Sequence, residues 1–257
     1  MTSPASFVAF DRVTVRYPGT ERAAVADITL RVDAGERVAL VGPSGSGKST
    51  LLALAAGLRV PSSGKVSVLG VDGTVLGSRT NRDTRSRIGI VSQDFSLVGS
   101  LRTATNVAAG RLGQRTWFGA LWALWRPGPL EEIHAALGRV GIAEKIWERT
   151  DHLSGGEQQR TAIARVLFQA PDLLLADEPV SALDPARSKS VIEVLTDEFS
   201  SADRGLLVSM HDAPLALEYC DRIVGLCEGR VVFDLPATDV SEAVLADLYH
   251  LDEQPGL

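Results

Sequence analysis

The nine residues GPSGSGKST, at 42–50, restrict what this 257-residue chain can fold into more than any other stretch. From Gly42 to Ser49 they fit the pattern G-x-x-x-x-G-K-[ST]. They follow RVALV (37–41), a continuous apolar run that reads as a strand buried on both faces. They lead into STLLALAAGL, which reads as a helix with Gly57 as its C-cap. A Gly/Ser linker does not sit between two buried elements. A turn of this composition lets backbone N–H groups wrap a phosphate chain. The cradle then comprises Gly42, Pro43, Ser44, Gly45, Ser46, Gly47 and Thr50, with Lys48 reaching β- and γ-oxygens and the Ser49 hydroxyl on Mg2+.

A second component complements it. DLLLADEP places Asp177 at the end of an apolar strand, where a carboxylate can hold Mg2+ through water. Glu178, next in the chain, is positioned to orient or deprotonate an attacking water. Further buried strands are expected at RIGIV (87–91) and GLLVSM (205–210), and a hairpin over 222–234 turns at Glu228-Gly229. FVAFDRVTVRY (7–17) and ITLRV (28–32) largely alternate and read as half-buried antiparallel strands. Between Gln93 and Pro171 the pattern is helical, with Ile133, Leu137 and Val140 on one face, and SEAVLADLY (241–249) closes the chain as a short helix. The expected architecture is α/β: a mixed sheet with an all-helical insertion and phosphate motifs at strand-to-helix turns.

A net charge of −6 argues against a duplex-binding surface, which should be basic. Lysine occurs only at Lys48, Lys65, Lys145 and Lys189, so nearly all positive charge is arginine, which genome composition explains as readily as function. Cys220 and Cys227 lack metal-ligand spacing and read as buried, reduced thiols. His134, His152 and His250 read as solvated or structural. The start MTSPASFVAF has no signal-peptide pattern, and no apolar run approaches the roughly 20 residues of a membrane-spanning helix. A link to a membrane is therefore expected to run through a partner or a surface contact.

One stretch looks redundant. In LSGGEQQR (153–160), Ser154 and Glu157 form a capping box that opens a helix, and its glycines expose N–H groups to an anion. The chain thus has two phosphate nests. LSGGEQQR ahead of LLLADEP, then SALD (181–184) and a histidine ending the next strand, resembles the ATPase subunit of ABC transporters over essentially the whole chain. The resemblance implies a P-loop fold of RecA type, with antiparallel strands and core over about 1–93 and 171–235. A helical subdomain over about 94–170 and a tail over 236–257 complete the implied division.

The same resemblance implies that Tyr17 stacks on adenine and that Gln93 joins Mg2+ and the attacking water to the membrane partner. It makes His211 the histidine that contacts the γ-phosphate and Asp184 part of the D-loop. Ser154, Gly155 and Gly156 become the signature that completes ATP bound by a second copy, in a head-to-tail homodimer. The redundancy then has a reason: each chain supplies half of two sites.

A closer resemblance, to phosphonate-import ATPases, rests on GRLGQRTWFGALW (110–122), RVGIAEKIWERTDHLSGGEQQR (139–160), CDRIVGLCEGRVVFD (220–234) and the terminal LADLY. Ser96, Gly99-Ser100, Leu235 and His250 depart from that subfamily, away from the nucleotide residues. Such a resemblance implies an ATP hydrolase on the cytoplasmic face of the membrane, working with a separate integral permease and, indirectly, an extracytoplasmic solute-binding protein. The solute is expected to be phosphonate or a related phosphorus oxyanion. Alternatives are an importer of another solute, an exporter or lipoprotein-release system, or a soluble ABC ATPase acting on nucleic acid or the ribosome. The last usually carries coiled-coil insertions or tandem cassettes, neither of which is found here. WFGALWALW (117–125) reads as the packed centre of the helical subdomain, as a groove or edge for a permease helix, or as a segment resting at the lipid interface.

Overall fold

A computed structural model describes residues 6–20, 22–76, 81–114 and 128–253. The Trp-rich run 117–125 lies outside the described residues. Strands β1 (Ser6–Arg16), β2 (Ala23–Asp33), β4 (Ser63–Val68) and β5 (Val71–Asp72) form an antiparallel sheet in the order β2-β1-β4-β5. The second sheet runs β10-β9-β3-β8-β7-β6, from β3 (Arg37–Val41), β6 (Ile88–Val91), β7 (Leu173–Asp177), β8 (Gly205–Ser209), β9 (Arg222–Cys227) and β10 (Arg230–Pro236). Its strands pair in parallel except β10, which is antiparallel to β9 across the two-residue turn Glu228-Gly229. Both turn residues are left-handed, φ 51° and 76°, as a two-residue hairpin favours.

The helix α1 (Lys48–Ala55) is buried between the two sheets with Leu51 and Leu54 fully enclosed. Val38 and Leu40 of β3, Leu173 and Leu175 of β7 and Leu207 of β8 point toward it. Their alternates, Ala39, Val41, Leu174, Ala176, Leu206 and Val208, face a second core. The continuous apolar runs therefore serve two packed layers, as expected of strands covered on both sides. The second core is closed by the helices α3 (Thr103–Ala108), α4 (Leu130–Arg139), α5 (Gly155–Gln169) and α6 (Pro185–Glu198). Ile133, Leu137 and Val140 all lie buried there. The short α2 (Arg82–Ser86) precedes β6, α7 (Ala213–Tyr219) follows β8, and α8 (Glu242–Glu253) extends past the expected end at 249.

Other boundaries differ by a residue or so. The C-cap of α1 is Ala56, and Gly57 is the next residue, left-handed at φ 66°. Its N–H bonds to Leu54 O at 3.0 Å and Leu58 N–H bonds to Ala53 O at 2.9 Å, the paired bonds of a Schellman motif. A Cβ at Gly57 would lie 2.9 Å from the Leu76 side chain. Gly57→Ala is therefore expected to cost about 1–2 kcal/mol and lower the melting temperature by about 2–6 °C. An unchanged thermal melt would contradict this reading of the cap.

The thiols of Cys220 and Cys227 are buried and neither is in a disulfide. Burial pushes the Cys220 thiol up to about 12, so it stays protonated at neutral pH.

Candidate functional site

The phosphate cradle is shaped by contacts that exclude side chains. Gly42 leaves β3 with φ 141°, and a Cβ there would fall 2.0 Å from Leu226 O. Gly47 caps α1 at φ 107° with Ala24 O 2.6 Å from where a Cβ would stand. Gly45 is also left-handed, at φ 80°. These conformations turn the loop around the N-terminus of α1, where N–H groups lack intrahelical partners. The buried Lys48 folds back so that its ammonium donates to Gly42 O at 2.7 Å, Pro43 O at 2.9 Å and Ser46 Oγ at 3.4 Å. Burial lowers its pKa, and the carboxylates of Glu178 and Asp177 partly offset that. The cation is thus held by neutral oxygens that an anionic phosphate would outcompete.

The acidic end is set by strand register. Asp177 pairs with Ser209 across β7 and β8, so the residues after each strand leave at one edge of the sheet. Asp177 Oδ1 accepts from Ser209 Oγ at 2.5 Å and from Ser49 Oγ at 3.1 Å, joining the acidic strand end to the P-loop. Glu178 is left-handed at φ 50°, a conformation costing a non-glycine residue roughly 1–2 kcal/mol. Its N–H bonds to Ser209 O at 3.2 Å and Ser209 Oγ at 3.0 Å, and its carbonyl accepts from Gln159 Nε2 at 3.2 Å. So held, its carboxylate is 15% exposed and stands 2.5 Å from His211 Nε2.

A cleft of about 400 Å³ is lined by Tyr17, Ala24, residues 44–50, Gln93, Glu178 and His211. It adjoins a groove lined by Tyr17, Thr20, Arg22 and Glu228. The Tyr17 hydroxyl lies 3.1 Å from Thr50 Oγ1, and the Arg59 guanidinium sits 4.3 Å from its ring centroid. The ring is thereby fixed at the cleft wall with one face covered by a cation. Gln93, also lining the cleft, is exposed. Two residues on, Phe95 and Ser96 are both left-handed, at φ 61° and 46°. Arg165 of α5 donates to their carbonyls at 3.1 and 2.7 Å. Burial lowers the Arg165 pKa, with Asp94 partly opposing.

Among the described residues, no group of three His, Cys, Asp or Glu side chains could hold a metal. The oxygens present at or beside the cleft are the Ser49 hydroxyl, the Asp177 carboxylate bonded to it and the Gln93 side-chain amide. An all-oxygen set of this kind fits a hard cation that keeps several waters, as Mg2+ does.

The second nest forms as expected but stands apart. Ser154 caps α5, accepting from Glu157 N–H at 3.3 Å, while Glu157 Oε2 accepts from Ser154 N–H at 2.9 Å. That backbone bond, followed by the Ser154 hydroxyl, holds the Glu157 carboxyl below its ordinary range. Ser154 and Gly155 are exposed and do not line the cleft, and a Cβ on Gly155 would meet nothing within 4 Å. Asp184 caps α6, accepting from Arg187 N–H at 3.1 Å, and is likewise exposed. The cradle, Tyr17, Gln93, Asp177, Glu178 and His211 are thus brought together, while Ser154, Gly155 and Asp184 are left on the surface and Gly156 packs against Ala182 and Leu183.

Sequence reasoning passes over Ser209 and Gln159. Gln159 is 1% exposed and sits in the inward series Gln159, Ala162, Ile163, Val166 of α5. A polar residue at a core-facing helical position is the signal that would have found it.

A family model described as ABC transporter matches residues 25–181. The phosphonates import ATP-binding protein PhnC of Thiobacillus denitrificans is 41% identical over 245 residues, covering 95% of this chain and 93% of that protein. A like-named protein of Halalkalibacterium halodurans is 40% identical over 243 residues, covering 94% and 93%. Among solved structures, a dimeric post-hydrolysis ATP-binding cassette bound to ADP and Pi superposes with a TM-score of 0.76 at 28% identity, covering 90% of this chain and 98% of that one. A component of the ABC transporter complex CbiONQ from Clostridium perfringens does so with a TM-score of 0.74 at 25% identity, covering 98% and 96%.

Proposed function

This chain belongs to the ABC transporter family, and from that premise we propose that it is the ATP-hydrolysing subunit of an importer for phosphonate or a related phosphorus oxyanion. The observation that carries the ATPase reading is the meeting of the P-loop, Asp177 and the Glu178–His211 pair at one cleft. Tyr17 stacks on the adenine. The backbone N–H groups of the 42–50 loop, Pro43 excepted, and the Lys48 ammonium take the β- and γ-phosphates, drawing Lys48 from the loop carbonyls. Ser49 and Gln93, with Asp177 acting through water, would hold Mg2+. When bound, the metal neutralises charge on the β- and γ-oxygens.

Glu178 accepts a proton from water as the water oxygen bonds to the γ-phosphorus and the bond from that phosphorus to the β–γ bridging oxygen breaks. ADP then leaves carrying the bridging oxygen. His211, on the Glu178 carboxylate, keeps that side chain aimed and contacts the γ-phosphate. A second copy completes the site with its Ser154 hydroxyl and the N–H groups of Gly155 and Gly156, with Asp184 alongside, so the working unit is a head-to-tail homodimer.

Among the described residues no helix is long and apolar enough to cross a membrane. Kinship with proteins named as import ATP-binding proteins supports reading the subunit as peripheral, on the cytoplasmic face, bound to a separate permease that receives solute from a binding protein. The solute assignment rests on kinship with proteins named for phosphonate import. Deleting the gene in its native host is expected to abolish uptake of labelled methylphosphonate, and wild-type protein but not its Lys48→Ala variant should restore it. Unchanged phosphonate uptake together with loss of another solute's uptake would remove the phosphonate assignment and leave the ATPase.

A further inference from the structure

The helix whose N-terminus forms the second nest also grips the first site from behind. Gln159 of α5 donates from Nε2 to the Glu178 carbonyl at 3.2 Å and accepts at Oε1 from Ala182 N–H at 3.1 Å. These are the left-handed residue bearing the acid and the turn that leads to Asp184. One turn nearer the nest, a Cβ on Gly156 would lie 3.3 Å from Ala182 O and 3.1 Å from Leu183 Cδ2, so the start of α5 lies directly on that turn. Farther along the same 15-residue helix, Arg165 holds the carbonyls of Phe95 and Ser96. One helix thus carries an exposed anion nest at its tip and side-chain bonds to the backbone of the turn that aims Glu178.

We propose that Gln159 is a positioning residue that couples the two nucleotide sites of the dimer. The inference rests on the head-to-tail reading above. When the tip of α5 engages the phosphate held by the partner subunit, its displacement reaches the chain's own Glu178 through the Gln159 amide. By reciprocity, closure around Glu178 presents the nest to the partner. The residue type matters because a primary amide donates at one end and accepts at the other. A carboxylate cannot donate to the Glu178 carbonyl, and an apolar side chain leaves that carbonyl with the Ser181 N–H alone and leaves Ala182 N–H unmatched.

The test compares wild type with Gln159→Leu and Gln159→Glu by steady-state ATPase, ATP binding and thermal melting. Wild type should show a Hill coefficient for ATP near 2, the limit for two coupled sites. Both variants should bind ATP within about twofold of wild type, yet lose about 10- to 100-fold in kcat and fall to a Hill coefficient near 1. A role in packing alone would lower the melting temperature and leave the Hill coefficient in place. If the leucine variant melts early, the glutamate variant carries the test, since it keeps the volume and the bond from Ala182. Wild-type cooperativity in a folded variant would overturn the coupling. A wild-type enzyme that stays monomeric and non-cooperative with ATP would instead overturn the dimer reading.

Discussion

Glu178→Gln is expected to bind ATP as tightly as wild type, to lose about 10²- to 10⁴-fold in kcat, and to accumulate as an ATP-bound dimer. The amide keeps the size of the carboxylate and can still meet His211, so neither the cleft nor the left-handed backbone at Glu178 is disturbed. What disappears is an oxygen basic enough to take a proton from water. With cleavage blocked, the triphosphate persists and so does the contact it makes with a second copy. Size exclusion with ATP should give about twice the 27.4 kDa of one chain, and with ADP a single chain. A variant that turns over at near wild-type rate would remove Glu178 from the role of base.

Gly155→Asp is expected to be nearly silent in an isolated chain and severe in the working enzyme. Its Cβ enters open space, Gly155 has no special backbone angle, and no cleft-lining residue is touched. Melting temperature and ATP affinity of the monomer should therefore stay close to wild type. In the proposed dimer the new carboxylate would face the partner's γ-phosphate, so attraction at a helix N-terminus would become repulsion. The ATPase should fall about 10²- to 10³-fold, the range for losing a preorganised donor to developing charge. Undiminished ATPase would mean that this N-terminus does not meet the nucleotide.

Much of the cleft was legible from residues 42–50, because few backbones need glycines at those intervals followed by Lys and Ser. The acid pair was legible because one apolar run, LLLA, ends directly in Asp177 and Glu178, which marks a strand end carrying two carboxylates. The bond from Ser209 to Asp177 was not, since it depends on the register of two short strands far apart in the chain. The antiparallel sheet was half legible. β1 and β2 alternate, whereas β4 begins with three exposed residues, Ser63, Gly64 and Lys65, and offers no periodic pattern. The alternating residues also concealed a fault in β1, where Arg12 is left-handed and the pairing shifts between Phe10 and Val13. Gln159 escaped because the eye is drawn to the exposed glycines of LSGGEQQR, while its role is set by the face of α5 turned inward. Tyr17 was singled out for the base, but its ties to Thr50 and Arg59, which fix the ring, come from residues 33 and 42 positions along the chain.

The central claim, that each ATP is enclosed by two chains, is tested most directly by mixing two inactive proteins. Lys48→Ala damages the cradle and Gly155→Asp damages the nest, and each homodimer has two faulty sites. In a mixed head-to-tail dimer both faults fall in one site, and the other pairs an intact cradle with an intact nest. An equimolar mixture at saturating ATP should therefore recover ATPase far above the sum of its parts, up to about a quarter of wild type if half the dimers are mixed and each has one working site. A mixture no more active than its two components, with mixed dimers present by mass, would contradict the account.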